Sequence, residues 1–198
     1  MEKIGYIDKS KLALLSGLNS SSQLNDVELK YENRDIIEQR NDVVQPICAG
    51  VMMTKDNKIL VVNKKAKATG EKSPEKGKSL LYIGGHLDIA DRAEANFQTF
   101  SLGMRREIEE EMGFALTNEN ASLKSPIVLY TPLTEKSARH LGVIFPVIIE
   151  RSFDTTFTDG KCKFVDINVL SEIDNFEAWS EIILKEIVEK MQSAYSQL

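Results

Sequence analysis

Residues 93–112 carry the most regular pattern in the chain, an apolar stripe at helical spacing. Five apolar residues follow one another at intervals of three or four: Phe97, Phe100, Met104, Ile108 and Met112. This spacing places them on one face of an α-helix. Gly113 comes next and is expected to end the helix as a C-terminal cap. A helix with one apolar face has to be covered, so the chain must fold other elements against it.

Apolar segments with the composition of β-strands lie before and after this helix. They cover residues 43–54, 58–64, 79–83, 125–133, 140–150 and 161–167. Asp56 and Asn57 separate the first two segments, which predicts a hairpin. A second amphipathic helix is expected over residues 176–195. Strands that precede, separate and follow two helices predict an α/β protein, with a mixed β-sheet and helices packed on its faces.

The N-terminal part of the chain is polar, mixed in sign and harder to interpret. Three leucines near helical spacing predict a short helix over residues 8–18, which Gly17 would end. Residues 27–42 fit either a helix or irregular structure. We therefore expect an N-terminal extension over residues 1–42, acting as a cap, a dimer contact or padding for the sheet. The main domain is expected over residues 43–198.

Length and composition limit the functions that the chain can have. It has 198 residues, of which 42% are hydrophobic and 28% charged, as is typical of a soluble globular domain. A net charge of −5 argues against a nucleic-acid polymer as partner, since that requires a basic face. Two cysteines suit a reducing compartment. Because no signal peptide and no apolar run of ~18 residues is found, we expect a cytoplasmic protein with no membrane partner.

The C-terminal end of the helix predicted over residues 93–112 is rich in acidic residues. Glutamate fills four of five positions, with no lysine among them: Glu107, Glu109, Glu110 and Glu111. Helical spacing puts the first and the last two on one face beside the apolar stripe, and turns Glu109 towards solvent. Carboxylate oxygens suit Mg²⁺, or Mn²⁺, which keeps waters that phosphate oxygens can replace. Taken alone, however, such a helix is more often an ordinary solvated face.

Two adjacent glycines upstream of the helix change this balance. Gly84 and Gly85 close a predicted strand within the segment YIGGHLD. Adjacent glycines let the backbone turn sharply and approach a ligand. A strand, a glycine turn and then an acidic helix form an arrangement suited to phosphate and metal, because backbone carbonyls and carboxylates can share the ions.

The segment from Gly85 to Phe114 resembles the Nudix box, whose pattern is G-x5-E-x7-R-E-U-x-E-E-x-G-U, with U a bulky aliphatic residue. The second half fits from Arg106 onwards without a gap, except that Phe114 fills the last aliphatic position. In the first half, counting from Gly85 reaches Asp91, and seven extra residues precede Arg106. Asp91 or Glu94 fills the place of the first acid, unless that place is empty. The GGH turn is similar to that of a Nudix subgroup.

The resemblance implies a Nudix-type α/β/α sandwich, with the mixed sheet between helices, and an enzyme that hydrolyses a diphosphate joined to another group. By position in the box, Glu107, Glu110 and Glu111 would bind Mg²⁺, together with the carbonyl of Gly85. Arg106 would orient Glu107 through a charge-assisted hydrogen bond. The metal would neutralise the diphosphate and activate the attacking water. The general base stays open between the helix glutamates and an acid from a later loop.

Three further residues are candidates for contacts with a small anionic diphosphate substrate. His86 follows the glycine turn and either touches a phosphate or hydrogen-bonds a loop carbonyl. His140 stands at a predicted strand start and either faces the substrate or has a structural role. Lys64 opens a lysine-rich loop over residues 64–78, which either closes over the substrate or stays solvated.

Other functions of a Nudix-fold chain stay open at this point. A non-catalytic ligand sensor usually carries a DNA-binding domain and a decayed box, whereas this helix keeps its acids. An isoprenyl-diphosphate isomerase requires a reactive cysteine and an extra acid, and neither Cys48 nor Cys162 lies in a matching motif. The sequence therefore favours the hydrolase. It leaves the substrate unnamed and a homodimer open.

Overall fold

The computed structural model describes residues 2–63, 77–150 and 162–188. These residues form an α/β protein whose strands build a large mixed sheet, which confirms the predicted class. The strands are β1 (Lys3–Asp8), β2 (Gly17–Asn19), β3 (Lys30–Asn33), β4 (Val43–Thr54), β5 (Lys58–Asn63), β6 (Ser79–Leu80), β7 (Ile83–His86), β8 (Ala121–Leu123), β9 (Ile127–Tyr130), β10 (His140–Ile149) and β11 (Cys162–Asp166). The helices are α1 (Arg34–Ile37), α2 (Asn96–Met112) and α3 (Ala178–Ile183). None of the helices in the described ranges could span a membrane.

The chain divides into two compact units, each assembled from three stretches of sequence. As far as they are described, the first unit contains residues 1–50, 84–116 and 125–145, and the second contains residues 51–83, 117–124 and 146–198. The long strands β4 and β10 each contribute residues to both units. All the residues of the candidate site that the structure describes belong to the first unit.

Residues 1–42 contribute three strands to the first unit. β1 pairs antiparallel with β3, with Gly5 opposite Tyr31, and then with the start of β4. β2 pairs antiparallel with β9, which also pairs with β10. The stretch over residues 27–42, for which the sequence left two alternatives, contains β3 and the short helix α1. The N-terminal residues are therefore hydrogen-bonded to strands from later in the chain.

The prediction of a short helix over residues 8–18 is wrong. Only a 3-10 turn at Lys9–Lys11 forms within it, and β2 begins at Gly17 with a φ of 103°. Leu15 is 72% exposed, so the leucines do not make a buried stripe. The Asn19 side chain instead hydrogen-bonds both the N–H and the carbonyl of Leu15. Side-chain bonds of this kind compete with the helical hydrogen bonds of the backbone.

α2 confirms the predicted helix and its cap. It begins at Asn96, three residues later than expected, and Gly113 ends it in the left-handed conformation with a φ of 64°. The middle of the apolar stripe is buried: Phe100, Met104 and Ile108. Phe97 is 43% exposed, although its ring meets that of Phe145 edge-on with 5.6 Å between centroids. The helix thus packs by the face that the sequence indicated.

The second unit contains the predicted hairpin. β4 and β5 pair antiparallel, and Asn57 in their turn has a φ of 59°, a conformation that asparagine tolerates. β5 also pairs antiparallel with β11 and β6. α3 buries Trp179 and Ile183, and the chain continues as a π-helical turn over Leu184–Val188. The remainder of the helix predicted to residue 195 lies outside the described residues.

Candidate active site

The two glycines at the end of β7 allow two close approaches. A Cβ on Gly84 would lie 2.3 Å from the carbonyl oxygen of Cys48 and 2.5 Å from the Cβ of Ala49. β7 therefore fits beside β4 only because Gly84 has no side chain. A Cβ on Gly85 would lie 2.3 Å from Oε1 and 2.5 Å from Oε2 of Glu107. The glycine turn thus brings bare backbone against the first glutamate of the acidic cluster.

Arg106 is the centre of a hydrogen-bonded network. Its Nε donates to Oδ1 of Asp91 at 3.0 Å, and its Nη2 donates to Oδ2 of Asp91 at 3.1 Å and to the main-chain oxygen of His86 at 2.9 Å. Its Nη1 donates to Oε1 of Glu107 at 2.9 Å and to Oε2 of Glu110 at 3.1 Å. Each of the five N–H donors of the guanidinium group therefore has an acceptor. Burial opposes the charge of Arg106, but the hydrogen bonds to Asp91 and Glu107 raise its pKa.

Asp91 is the acid that pairs with this arginine. It is the residue reached by counting forward from the glycine turn, and it is 4% exposed. Its Oδ2 also accepts a hydrogen bond from the main-chain N–H of Asp88 at 2.9 Å, within the capping box of a 3-10 turn. Glu94, the other candidate for the first acid, is exposed. Asp91, and not Glu94, is therefore the acid that meets Arg106.

The three glutamates expected to bind metal differ in exposure. The side chain of Glu107 is 16% exposed, whereas that of Glu110 is 59% exposed. Burial raises the pKa of Glu107, and the hydrogen bond from Arg106 offsets only part of this effect. Glu111 is exposed, as is Glu109. Of the three glutamates, Glu107 is thus the one that the fold holds largely out of water.

The described ranges contain no group of three or more acidic, histidine or cysteine side chains arranged to hold a metal ion. Instead, Glu107 and Glu110 both accept hydrogen bonds from Nη1 of Arg106. The donor types nevertheless fit Mg²⁺ and Mn²⁺, which prefer carboxylate oxygens. If Nη1 released the glutamates to a cation, Arg106 would keep its three hydrogen bonds to Asp91 and His86. The arginine can therefore stay in place while the carboxylates change partner.

His86 and His140 lie beside each other near the glycine turn. Their ring centroids are 5.6 Å apart and their planes meet at 65°. Nε2 of His86 hydrogen-bonds Oε1 of Gln45 at 2.9 Å, so its partner is a side-chain amide and not a loop carbonyl. Burial lowers the pKa of His86 to about 3 and that of His140 to about 4, so both rings are neutral near pH 7.

Sequence reasoning missed Gln45. This residue is 1% exposed and stands in the otherwise apolar run that forms β4. That isolation is the signal that could have found it, because a buried amide requires hydrogen-bond partners. Lys64 and the following residues up to 76, expected to form a basic loop, lie outside the described residues.

Several solved structures are similar to this chain in fold. No protein-family model and no curated protein matches the sequence. Tm1382, a candidate Nudix hydrolase of known structure, superposes with a TM-score of 0.69 at 19% identity, over 96% of this chain and 100% of its own. A MutT/Nudix family protein from Listeria innocua gives a TM-score of 0.56 at 15% identity, over 78% of this chain and 98% of its own. DR0079 from Deinococcus radiodurans gives a TM-score of 0.51 at 10% identity, over 93% of this chain and 98% of its own.

These similarities confirm, at the level of the fold, the resemblance that the glycine turn and the acidic helix indicated. Sequence identities below 20% accompany similarity over most of each chain. Fold is shared more widely than chemistry, so function has to be argued from the site itself. This chain has the Nudix fold.

Proposed function

We propose that this protein is a divalent-metal-dependent hydrolase that cleaves the diphosphate linkage of a small substrate of the nucleoside diphosphate-X type. The observation that supports this most is the environment of Glu107. Its carboxylate lies against Gly85 and is held by Arg106, which Asp91 and the carbonyl of His86 fix in turn. Burying a carboxylate is unfavourable, and a bound cation would offset that cost.

Three glutamates, the arginine and the glycine of the box have roles in the proposed reaction. Glu107, Glu110 and Glu111 would hold Mg²⁺ or Mn²⁺ together with the main-chain carbonyl of Gly85. A bound cation supplies positive charge to the diphosphate and makes water a better nucleophile. Arg106 keeps Glu107 oriented, because its planar guanidinium binds three carboxylates and a carbonyl at fixed angles.

We also propose His86 and His140 as substrate contacts. Both rings lie next to the glycine turn, and both are neutral near pH 7 because burial lowers their pKa values. They would therefore supply hydrogen bonds and ring surface to the substrate and not positive charge. Lys64 is the proposed source of positive charge for the substrate.

The isomerase alternative is not favoured by the environment of the cysteines. Cys48 is 0% exposed, and burial raises the pKa of its thiol, so it is a poor candidate for a reactive group. Cys162 is 8% exposed in β11. Only a measurement of turnover distinguishes the ligand sensor from the hydrolase.

The test is hydrolysis of a panel of diphosphate compounds with Mg²⁺, Mn²⁺ or a chelator, with phosphate measured after a coupling phosphatase. We expect metal-dependent turnover that Glu110→Gln lowers on the order of 100-fold. Glu109→Gln is the matched control, since it makes the same chemical change one position away on an exposed residue. Its turnover should stay within about two-fold of that of the wild type.

Equal losses from these two variants would contradict the assignment of Glu110 to the metal and of Glu109 to solvent. Absence of turnover on every compound, with metal binding still visible by calorimetry, would instead support the ligand sensor.

A further inference from the structure

Arg106 has two anchors outside its own helix, and a short stretch of chain joins them. The anchors are the main-chain oxygen of His86 and the carboxylate of Asp91. Residues 87–90 lie between the two, so a movement of this stretch changes the spacing of the anchors. That spacing determines whether the guanidinium group stays directed at Glu107.

β1 is bonded to this connecting stretch through its main chain. The N–H of Gly5 donates to the carbonyl oxygen of Leu87 at 2.9 Å. Ile4 forms an antiparallel bridge with Asp88. The two contacts hold successive residues of the stretch to successive residues of β1, which belongs to the N-terminal part of the chain, outside the Nudix box.

Leu87 is packed between two glycines. A Cβ on Gly5 would lie 3.0 Å from the Cβ of Leu87, and a Cβ on Gly103 would lie 2.8 Å from its Cδ2. Both distances are shorter than the 3.5–4.0 Å or so at which carbon atoms pack best. Leu87 is itself 0% exposed. Because Gly103 lies three residues before Arg106 in α2, Leu87 connects β1 to the turn of helix that carries the arginine.

Tyr31 packs at the same point from β3. It is opposite Gly5 in the β1–β3 pair, and a Cβ on Gly5 would lie 3.4 Å from its ring. Its hydroxyl is buried and has no hydrogen-bond partner among the described residues. Burial raises the pKa of Tyr31 to about 12, and the charge of Asp91 adds to this effect. The packing around Gly5 therefore leaves little space for the connecting stretch to move.

We infer that β1 is a positioning element of the proposed catalytic centre: Gly5 holds Leu87 in place and so keeps the two anchors of Arg106 at the spacing that directs its Nη1 to Glu107. The inference rests on the proposed function, because it describes how the metal-binding carboxylate is kept oriented. It gives residues 1–42 a part in catalysis that neither a cap nor a dimer contact would have.

Gly5→Ala tests this inference, because its methyl group would push Leu87 away by a few tenths of an ångström. We expect kcat to fall about 10-fold while KM changes by less than about two-fold, since the group that moves orients a carboxylate. Two-dimensional NMR of protein labelled with ¹⁵N-arginine gives a readout independent of turnover. The Nε–H of Arg106, which donates to Asp91, should shift and exchange faster with water.

The matched control is a change that lowers stability elsewhere. Ser180→Ala removes the hydroxyl that accepts a hydrogen bond from the N–H of Leu81 at 3.0 Å in the second unit. It should leave both kcat and the Arg106 resonance as in wild type. If Gly5→Ala fails to fold, Leu87→Val asks the same question, because it shortens the side chain that reaches Gly103.

The outcomes separate this inference from the proposed function. An unchanged Arg106 resonance together with an unchanged kcat in the Gly5 or Leu87 variant would overturn the positioning role. An altered resonance in a protein whose wild type turns over no diphosphate would keep the positioning role and reject the hydrolase. Equal effects of Ser180→Ala and Gly5→Ala would show that general destabilisation, and not positioning, is the cause.

Discussion

Arg106 joins more of the candidate site than any other residue described above. Its acceptors come from β7, from the 3-10 turn at Asp91 and from α2 itself. A lysine in its place would present one compact charge, and could not bind a carboxylate through two parallel hydrogen bonds while reaching a third acceptor. The side chain is therefore specific in shape as well as in charge.

At the same scale, Gly84 and Gly85 should respond differently to alanine. The methyl group of Gly85→Ala would meet the end of the Glu107 side chain, which can rotate away, so stability should change by about 1 kcal/mol or less, while kcat falls on the order of 100-fold. The methyl group of Gly84→Ala would meet the backbone of β4, which cannot move aside, so the free energy of unfolding should fall by about 3 kcal/mol. Urea unfolding and steady-state kinetics measure the two effects, and equal losses of stability would contradict this distinction.

Among the elements, α2 shows which features of a helix are determined by residues close to it in the sequence. Its apolar face and its glycine cap follow from neighbours within one or two turns. Its first residue does not, because Ala95 provides no side-chain cap and Asn96 instead donates to the main-chain oxygens of Leu24 and Val27, at 2.8 and 2.7 Å. The first residue of the helix is thus held by residues about 70 positions away, which the periodicity of the sequence does not reveal.

The cap of α2 can be tested by substitution. Gly113→Ala places a side chain at a φ of 64°, so the free energy of unfolding should fall by about 1 kcal/mol. Gln98→Ala, on the exposed face of the same helix, should change it by less than about 0.5 kcal/mol. Chemical denaturation of both variants makes the comparison. A Gly113 variant as stable as the Gln98 variant would mean that the helix end can relax out of the left-handed conformation.

For the whole molecule, the important fact is that each unit is assembled from distant stretches of chain. The first unit needs the N-terminal strands, the glycine turn with α2, and β9 with most of β10. None of these can bury its apolar face alone, so we expect them to become ordered together. The boundary proposed at residue 42 is thus crossed by strand pairs, since β1 pairs with β4 and β2 with β9.

Acid should destabilise the molecule through its buried histidines. Burial lowers the pKa of His140 to about 4 and that of His86 to about 3, whereas both titrate near 6.5 without it. As the pH falls from 6.5 to 4, the unfolded chain binds more protons than the folded one, so the free energy of unfolding decreases. His140→Gln should reduce this pH dependence, which urea unfolding at pH 7 and pH 5 would measure. The same decrease in both proteins would show that His140 is not buried as described.

Much of the fold and part of the site could be predicted from the residues alone. The hairpin at Asn57, the stripe of α2, the cap at Gly113 and the residue types of the acidic helix each depend on positions within a few residues of one another. The site was predicted as a set of residue types with one contact, that of Arg106 with Glu107, which the resemblance implied; its other contacts were not predicted. Gln45 was missed, and Asp91 could not be separated from Glu94.

Local conformation and chemical type follow from the order of residues: which segments alternate or repeat, where glycine permits a left-handed φ, and which side chains can bind a cation. Contacts between distant residues became known only from the folded chain: Asp91 meets Arg106, Gln45 holds His86, Asn19 and strand pairing replace a helix near Leu15, and Gly5 packs against Leu87. The reason is physical. Periodicity and turn preferences act over a few residues, whereas burial and hydrogen bonding select partners that are close in space, however far apart they are along the chain.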